Sequence, residues 1–265
     1  MEKLIKTKKV SQLPSGFLPY PKGIDVRFEP ITVGEKLQLS EADLTMRQIY
    51  EYSLDKILVT GMNKRDLTLP DFIYIGVLRR LYAEEDVTNI HITYCPKCGH
   101  KVTRQFLLSE IGFDELKLQG YPIKASFEDK ILVFKPLTIG DTLDMLEKDP
   151  EGKDTVLNTY LAMLDKVLDT QGNTLDINKE EFILNSSEEL VGIFKEVDEL
   201  YYHGIQDIDI ACPNKDFSQE YDKTGKLVSS KPCGNRWKED YGSPATIIFP
   251  SDRHPSTIRS KITFG

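Results

Sequence analysis

The sequence predicts an α+β protein built as two tandem, pseudo-equivalent halves, each running strand, helices, strand and cysteine knuckle. A structural zinc site joins the halves, and extended arms flank them. Three observations predict this. A ten-residue segment recurs position by position, Phe28-Glu29-Pro30-Ile31-Thr32-Val33-Gly34-Glu35-Lys36-Leu37 returning as Phe134-Lys135-Pro136-Leu137-Thr138-Ile139-Gly140-Asp141-Thr142-Leu143. The four cysteines fall as two Cys-Pro…Cys-Gly units, Cys95-Pro96-Lys97-Cys98-Gly99 and Cys212-Pro213…Cys233-Gly234. Alternating strand-like runs and helical apolar stripes follow one another in both halves.

Residues 1–23 read as an extended basic arm. Lys3, Lys6, Lys8, Lys9 and Lys22 stand against Glu2 alone, which leaves this segment at about +4 and the rest of a chain of net charge −8 at about −12. Pro14, Pro19 and Pro21 with Gly16 and Gly23 give it the composition of a strap, disordered in a free monomer and an interface in an assembly. Residues 24–118 form half one, 119–249 half two, and 250–265, with Pro250 and Pro255, a second extended tail.

In each half the Thr-x-Gly turn ends a strand, and the acid after the glycine, Glu35 or Asp141, suits a helix start. Met46, Ile49, Tyr50, Leu54, Ile57 and Leu58 then form a helical stripe, matched by Val156, Tyr160, Leu161, Leu164, Val167 and Leu168. Leu54-Asp55-Lys56-Ile57-Leu58-Val59-Thr60 aligns with Leu164-Asp165-Lys166-Val167-Leu168-Asp169-Thr170, both expected on helices. A further helix is expected at about 70–82 and, in half two, at about 187–202 after a short one near 178–184. Repeat offsets of 106, 110 and 117 fit small loop insertions.

The cysteine units close the scheme. In Cys-Pro-x-Cys-Gly the proline fixes one dihedral and the glycine admits the positive φ that turns both thiols to one side. Two such turns supply the four thiolates of a tetrahedral site, so Cys95, Cys98, Cys212 and Cys233 are the candidate ligands of one structural zinc per chain. Strand-like flanks, Asn89 to Tyr94 and Asp207 to Ala211, favour this over a dithiol redox centre, which needs its first cysteine at a helix N-terminus. Four unrelated buried thiols are the plain alternative. The 18 residues between Asn214 and Cys233 suggest a small hairpin turning near Lys223-Thr224-Gly225, and Trp237 reads as core.

Catalytic and nucleotide-binding signatures do not occur, so no enzyme is expected. His91, His100, His203 and His254 do not group, although His100 adjoins the first knuckle, and Asp176, Glu180, Glu181, Glu188 and Glu189 fall where solvated helix faces belong. A net charge of −8 argues against a dedicated nucleic-acid binder. No apolar run approaches the ~20 residues of a membrane span, and the N-terminus lacks a secretory pattern, so a reducing cytoplasm is expected. The knuckles and basic arm keep a second reading open, a zinc-ribbon module binding nucleic acid or associated with transcription.

Leu13-Pro14-Ser15-Gly16 with Tyr20-Pro21, the Pro-[Ile/Leu]-Thr strand ends, and the Cys95–Gly99 hairpin leading into Leu107-Leu108-Ser109-Glu110-Ile111 resemble one family of tailed-phage proteins over about residues 11–170. These are the T-even-type baseplate hub subunits and hub-assembly proteins. The resemblance implies a non-enzymatic component of a bacteriophage tail baseplate, made in the host cytoplasm and acting in assembly or remaining in the virion. Its implied partners are other tail and baseplate proteins in a multi-copy assembly, without membrane, nucleic acid or small-molecule substrate. Cys95 and Cys98 match the family's knuckle, whereas Cys212 and Cys233 are placed by the internal repeat.

Overall fold

The computed structural model describes residues 7–36, 44–83, 91–118, 120–150, 153–221, 223–224 and 227–239. The first sheet is antiparallel in the order β1 (Lys8–Lys9), β2 (Asp25–Phe28), β3 (Ile57–Thr60), with Phe28 opposite Ile57 and Asp25 opposite Thr60. Helix α1 (Met46–Asp55) precedes β3, opened by a capping box in which Thr45 and Gln48 exchange side-chain and backbone bonds. Helix α2 (Leu69–Leu81) follows, capped by Thr68 and with Pro70 in its first turn. Val10, Val26, Phe28, Ile49, Tyr50, Leu54, Ile57, Phe72 and Ile75 bury together between sheet and helices.

A second antiparallel sheet has the same order, β7 (Ile123–Phe127), β8 (Lys130–Phe134), β9 (Leu164–Asp169). Helices α3 (Ile139–Lys148) and α4 (Thr155–Met163) lie between β8 and β9, and α5 (Lys179–Asn185) and α6 (Glu188–Tyr201) come after. Its core joins Phe127, Leu132, Phe134, Leu164 and Val167 to Leu190, Phe194, Val197 and Tyr201 of α6. The helices expected near 70–82, 178–184 and 187–202 are therefore present as α2, α5 and α6.

The repeated segment adopts matching local structure in both places. Thr32 Oγ1 accepts from Glu35 N–H at 3.2 Å, and Thr138 Oγ1 accepts from Asp141 N–H at 3.1 Å. Just after the central strand, Glu29 N–H donates to Lys56 carbonyl at 3.0 Å and Lys135 N–H to Met163 carbonyl at 2.9 Å. The acids then diverge: Glu35 forms a buried pair with Arg79 of α2 at 2.6 Å, whereas Asp141 pairs locally with Lys135.

Three expectations change. Residues 57–60 and 164–169 are strands rather than the ends of helices. In the first, Ile57 is buried and Leu58 exposed, an alternation imposed by pairing with β2. In the second, a bulge opposite Val133 and Phe134 leaves Asp165 unpaired and resets the phase. Leu164 and Val167, three apart, thereby both face the core and imitate a helical spacing. The pairing also sets Ile57, not Leu54, beside Leu164, since these two oppose Phe28 and Phe134.

The second change concerns how the sheets meet. Leu69 N–H donates to Leu137 carbonyl at 3.0 Å and Ile139 N–H to Leu67 carbonyl at 2.8 Å, so the chain entering α3 bridges the chain entering α2. Ile139 and Leu143 complete the first core rather than the second. Arg47 to Glu147 at 3.2 Å and Arg65 to Asp144 add surface pairs along this seam. The sheets are thus joined directly, away from the cysteines.

Residues 7–23 are docked, against the expectation of a free strap. Val10 N–H donates to Val26 carbonyl at 2.9 Å, Leu13 is buried, and Ser15 N–H donates to the buried Asp71 carboxylate at 2.9 Å. Lys3, Lys6 and the tail 250–265 lie outside the described residues.

Candidate metal centre

Two antiparallel hairpins carry the cysteines. Strands β4 (His91–Tyr94) and β5 (Lys101–Arg104) pair with Tyr94 opposite Lys101, which brings Cys95 to the start of the turn. Cys95 N–H donates to His100 carbonyl at 2.9 Å, Gly99 N–H donates to Cys95 carbonyl at 2.8 Å, and Gly99 has the φ of 69° that closes the loop. Beyond the short antiparallel pair β6 (Phe113–Asp114) and β10 (Gly204–Ile205), strands β11 (Ile208–Ala211) and β14 (Arg236–Glu239) make the second hairpin. There Cys212 N–H donates to Asn235 carbonyl and Cys233 N–H to Asn214 carbonyl, both at 2.9 Å, with Gly234 at φ 61°. The residues between them form the expected side hairpin, β12 (Ser218–Tyr221) with β13 (Leu227–Lys231), around a turn containing Lys223 and Thr224.

The hairpins face each other over a small core of Val102, Phe106, Ile208 and Ile210, with Trp237 packed half-buried against it. This packing brings all four sulfurs within 4.8 Å of one another, Cys95 Sγ to Cys233 Sγ at 3.8 Å and Cys98 Sγ to Cys212 Sγ at 3.5 Å. A tetrahedron of thiolates around zinc with bonds of about 2.3 Å has edges of about 3.8 Å. The donor set fits that ion in number, chemistry and spacing.

The thiols share charge unequally. Burial opposes ionisation of Cys95, but the N–H groups of Cys98 and Lys97 and the thiols of Cys98 and Cys212 outweigh it and bring its pKa down to about 6. Burial pushes Cys212 up to about 12 and raises Cys233, each against a backbone N–H, from Asn214 and Asn235 respectively. A depressed Cys95 is what a redox centre would require. Here, however, Cys95 is buried at the end of a strand, among three other thiols and not at a helix N-terminus. Four thiolates fill a tetrahedral ion and leave no position for water, which is structural rather than hydrolytic chemistry.

The other polar residues singled out by sequence do not join this site. His100 is exposed and contributes its carbonyl. His203 is buried against α2, its Nδ1 2.7 Å from Tyr201 carbonyl and its Nε2 3.2 Å from Thr68 Oγ1. His254 lies outside the described residues, and of His91 only the backbone is described. Asp176, Glu180, Glu181, Glu188 and Glu189 are all exposed, as expected of solvated faces. Sequence reasoning missed Asn214 and Asn235, whose amides reach the sulfurs of Cys98 and Cys95 at 3.7 Å. The signal for them was their position, each two residues after a cysteine of the split unit.

The family model described as T4 bacteriophage base plate protein matches residues 5–222 of the 265. The chain belongs to this family. No curated protein and no solved structure matches it. The span matched to the baseplate family takes in both sheets and Cys95, Cys98 and Cys212, while Cys233 falls beyond it. No helix among the described residues of this baseplate-family chain is long and apolar enough to cross a membrane.

Proposed function

We propose that this chain is a non-enzymatic structural or assembly component of a phage tail baseplate, at the hub or beside it, and that it clasps one zinc ion through Cys95, Cys98, Cys212 and Cys233. The family match over residues 5–222 carries the reading. It acts by binding other tail proteins in a multi-copy assembly, formed in the host cytoplasm and carried in the virion tail. The four-thiol cluster supports a scaffold role, because a closed site contributes cohesion and offers no reactive position. The matching caps and strand-end hydrogen bonds support an internal duplication of residues 24–118 and 119–249, and the matching strand order draws β1 (Lys8–Lys9) of the N-terminal segment into the first copy. Residues 1–23 and 250–265 are the proposed contact segments, the former anchored to the body from residue 7 onward. The zinc-ribbon alternative draws no support from the family match.

A phage in which this gene is interrupted tests the assignment directly. The expected result is unassembled or tailless particles, with complementation by the intact chain; normal infectious tails in its absence would overturn it. Elemental analysis of the purified chain is expected to give about one zinc.

A further inference from the structure

Asn214 and Asn235 stand outside the four-thiol set, yet each reaches across it. The Nδ2 of Asn214 lies 3.7 Å from the Sγ of Cys98, and that of Asn235 lies 3.7 Å from the Sγ of Cys95. Both amides come from the hairpin of Cys212 and Cys233, and both sulfurs from the opposite turn. The backbone donors behave differently: the N–H groups of Lys97 and Cys98 serve Cys95, that of Asn214 serves Cys212, and that of Asn235 serves Cys233, each within its own turn. Apart from the thiols themselves, the side-chain amides are therefore, among the described residues, the donors that tie one pair of sulfurs to the other.

At the corresponding places of the first turn stand Lys97 and His100. Lys97 returns the contact, its Nζ 3.3 Å from Cys233 carbonyl, and His100 gives only its carbonyl. A divalent ion with four thiolates carries a net double negative charge in a half-buried place, so donors aimed at sulfur stabilise it and orient the ligands. Asn214 and Asn235 are themselves half-buried, where an unbonded amide would be costly.

We propose that Asn214 and Asn235 are positioning residues of the metal centre. They hold the two thiol pairs in register across the hairpins and spread the charge of the loaded complex onto the protein. This rests on reading the cysteines as a metal site, and the experiment separates the two claims.

The full-length chain is stripped of metal and titrated with Co²⁺, then with Zn²⁺ against a chromophoric chelator, alongside Asn214→Asp, Asn235→Asp and the two alanine variants. The wild type is expected to take one ion per chain with thiolate-to-cobalt charge-transfer absorption. The aspartate variants keep the side-chain shape but remove the donor and add a charge. Their zinc affinity is expected to fall by about ten- to a hundredfold and their charge-transfer band to move, with alanine giving the smaller change. Variants with wild-type affinity and an unmoved band would overturn the positioning role. A wild type that binds neither ion would overturn the metal site itself. Should an aspartate variant fail to fold, its alanine counterpart is judged by the same affinity and band.

Discussion

Asp71 is fully buried at the start of α2 and accepts from the backbone N–H of Ser15 and the hydroxyl of Tyr20. That hydroxyl accepts from Thr68 N–H at 2.9 Å, and Thr68 reaches His203, so one network ties the N-terminal segment, α2 and the end of α6 together. Asp71→Ala would leave the Ser15 N–H unsatisfied, at about 1–3 kcal/mol, and would take the carboxylate acceptor from the Tyr20 hydroxyl, which keeps its bonds to Thr68 N–H and Oγ1. The expected outcome is a lower urea midpoint, with Asp71→Asn losing less; an unchanged midpoint would remove the network from the stability argument. Burial, then the charge of Asp71, holds the Tyr20 pKa well above its ordinary value; burial alone raises Tyr50, and burial first pushes Tyr201 up to about 12. A phenol harder to ionise when folded stabilises the fold fully below the unfolded pKa of about 10 and loses that contribution as pH rises toward the folded value. Stability should therefore fall above about pH 10 by up to about 1.4 kcal/mol per pH unit for each such tyrosine. Denaturant titrations across that range, with tyrosinate absorbance read alongside, check it; these tyrosines ionising together with the exposed ones would contradict it.

The two glycines of the repeated segment look alike in sequence and differ as parts of an element. A Cβ on Gly140 would sit 2.9 Å from the carbonyl oxygen of Arg65, a backbone atom fixed by the bridge between the segments entering α2 and α3. A Cβ on Gly34 meets nothing within 4 Å. Gly140→Ala should cost about 1–3 kcal/mol by forcing the seam apart, whereas Gly34→Ala, exposed at the start of a helix, should be neutral or stabilising by up to about 1 kcal/mol. Equal effects in thermal melts would show that the seam does not constrain Gly140. Although the capping role of Thr32 and Thr138 itself was not read, the helix starts at the two Thr-x-Gly turns, helices α2, α5 and α6 and the side hairpin were legible because each rests on local chemistry, an acid in the first turn or a polar turn between alternating runs. Strands β3 and β9 were not. Their apolar spacing depends on a partner strand and, at Asp165, on a bulge, neither of which leaves a local mark. The packing of Leu143 into the first core was hidden for the same reason, since repetition in sequence does not say which copy a helix packs against.

At the scale of the molecule, the cysteine spacing was readable as one cluster, but its place in the architecture was not. The sequence led us to expect a zinc clasp as the junction between halves. The cysteine pairs of the two halves do meet, but a separate, direct junction is apolar and hydrogen-bonded, through Leu67 to Leu69, Leu137 to Ile139 and Leu143, so that the first core closes on α3 as well as on α1 and α2 while the second closes on α6. Among the described residues the cysteine ribbon has Val102, Phe106, Ile208, Ile210 and part of Trp237 beneath it. A core of that size does not stabilise two hairpins alone, and a structural metal supplies what is missing in such small units. Chelation, or Cys233→Ser, is therefore expected to unfold the ribbon and leave the sheets standing. Hydrogen exchange should lose protection in Ile92–Arg104 and in Ile208–Ala211 with Arg236–Glu239, while Asp25–Phe28, Ile57–Thr60, Lys130–Phe134 and Leu164–Asp169 keep theirs. Loss of protection throughout would make the metal the keystone of the whole fold. Protection unchanged everywhere would mean that the hairpins hold without it, and that the four thiols are neighbours rather than ligands.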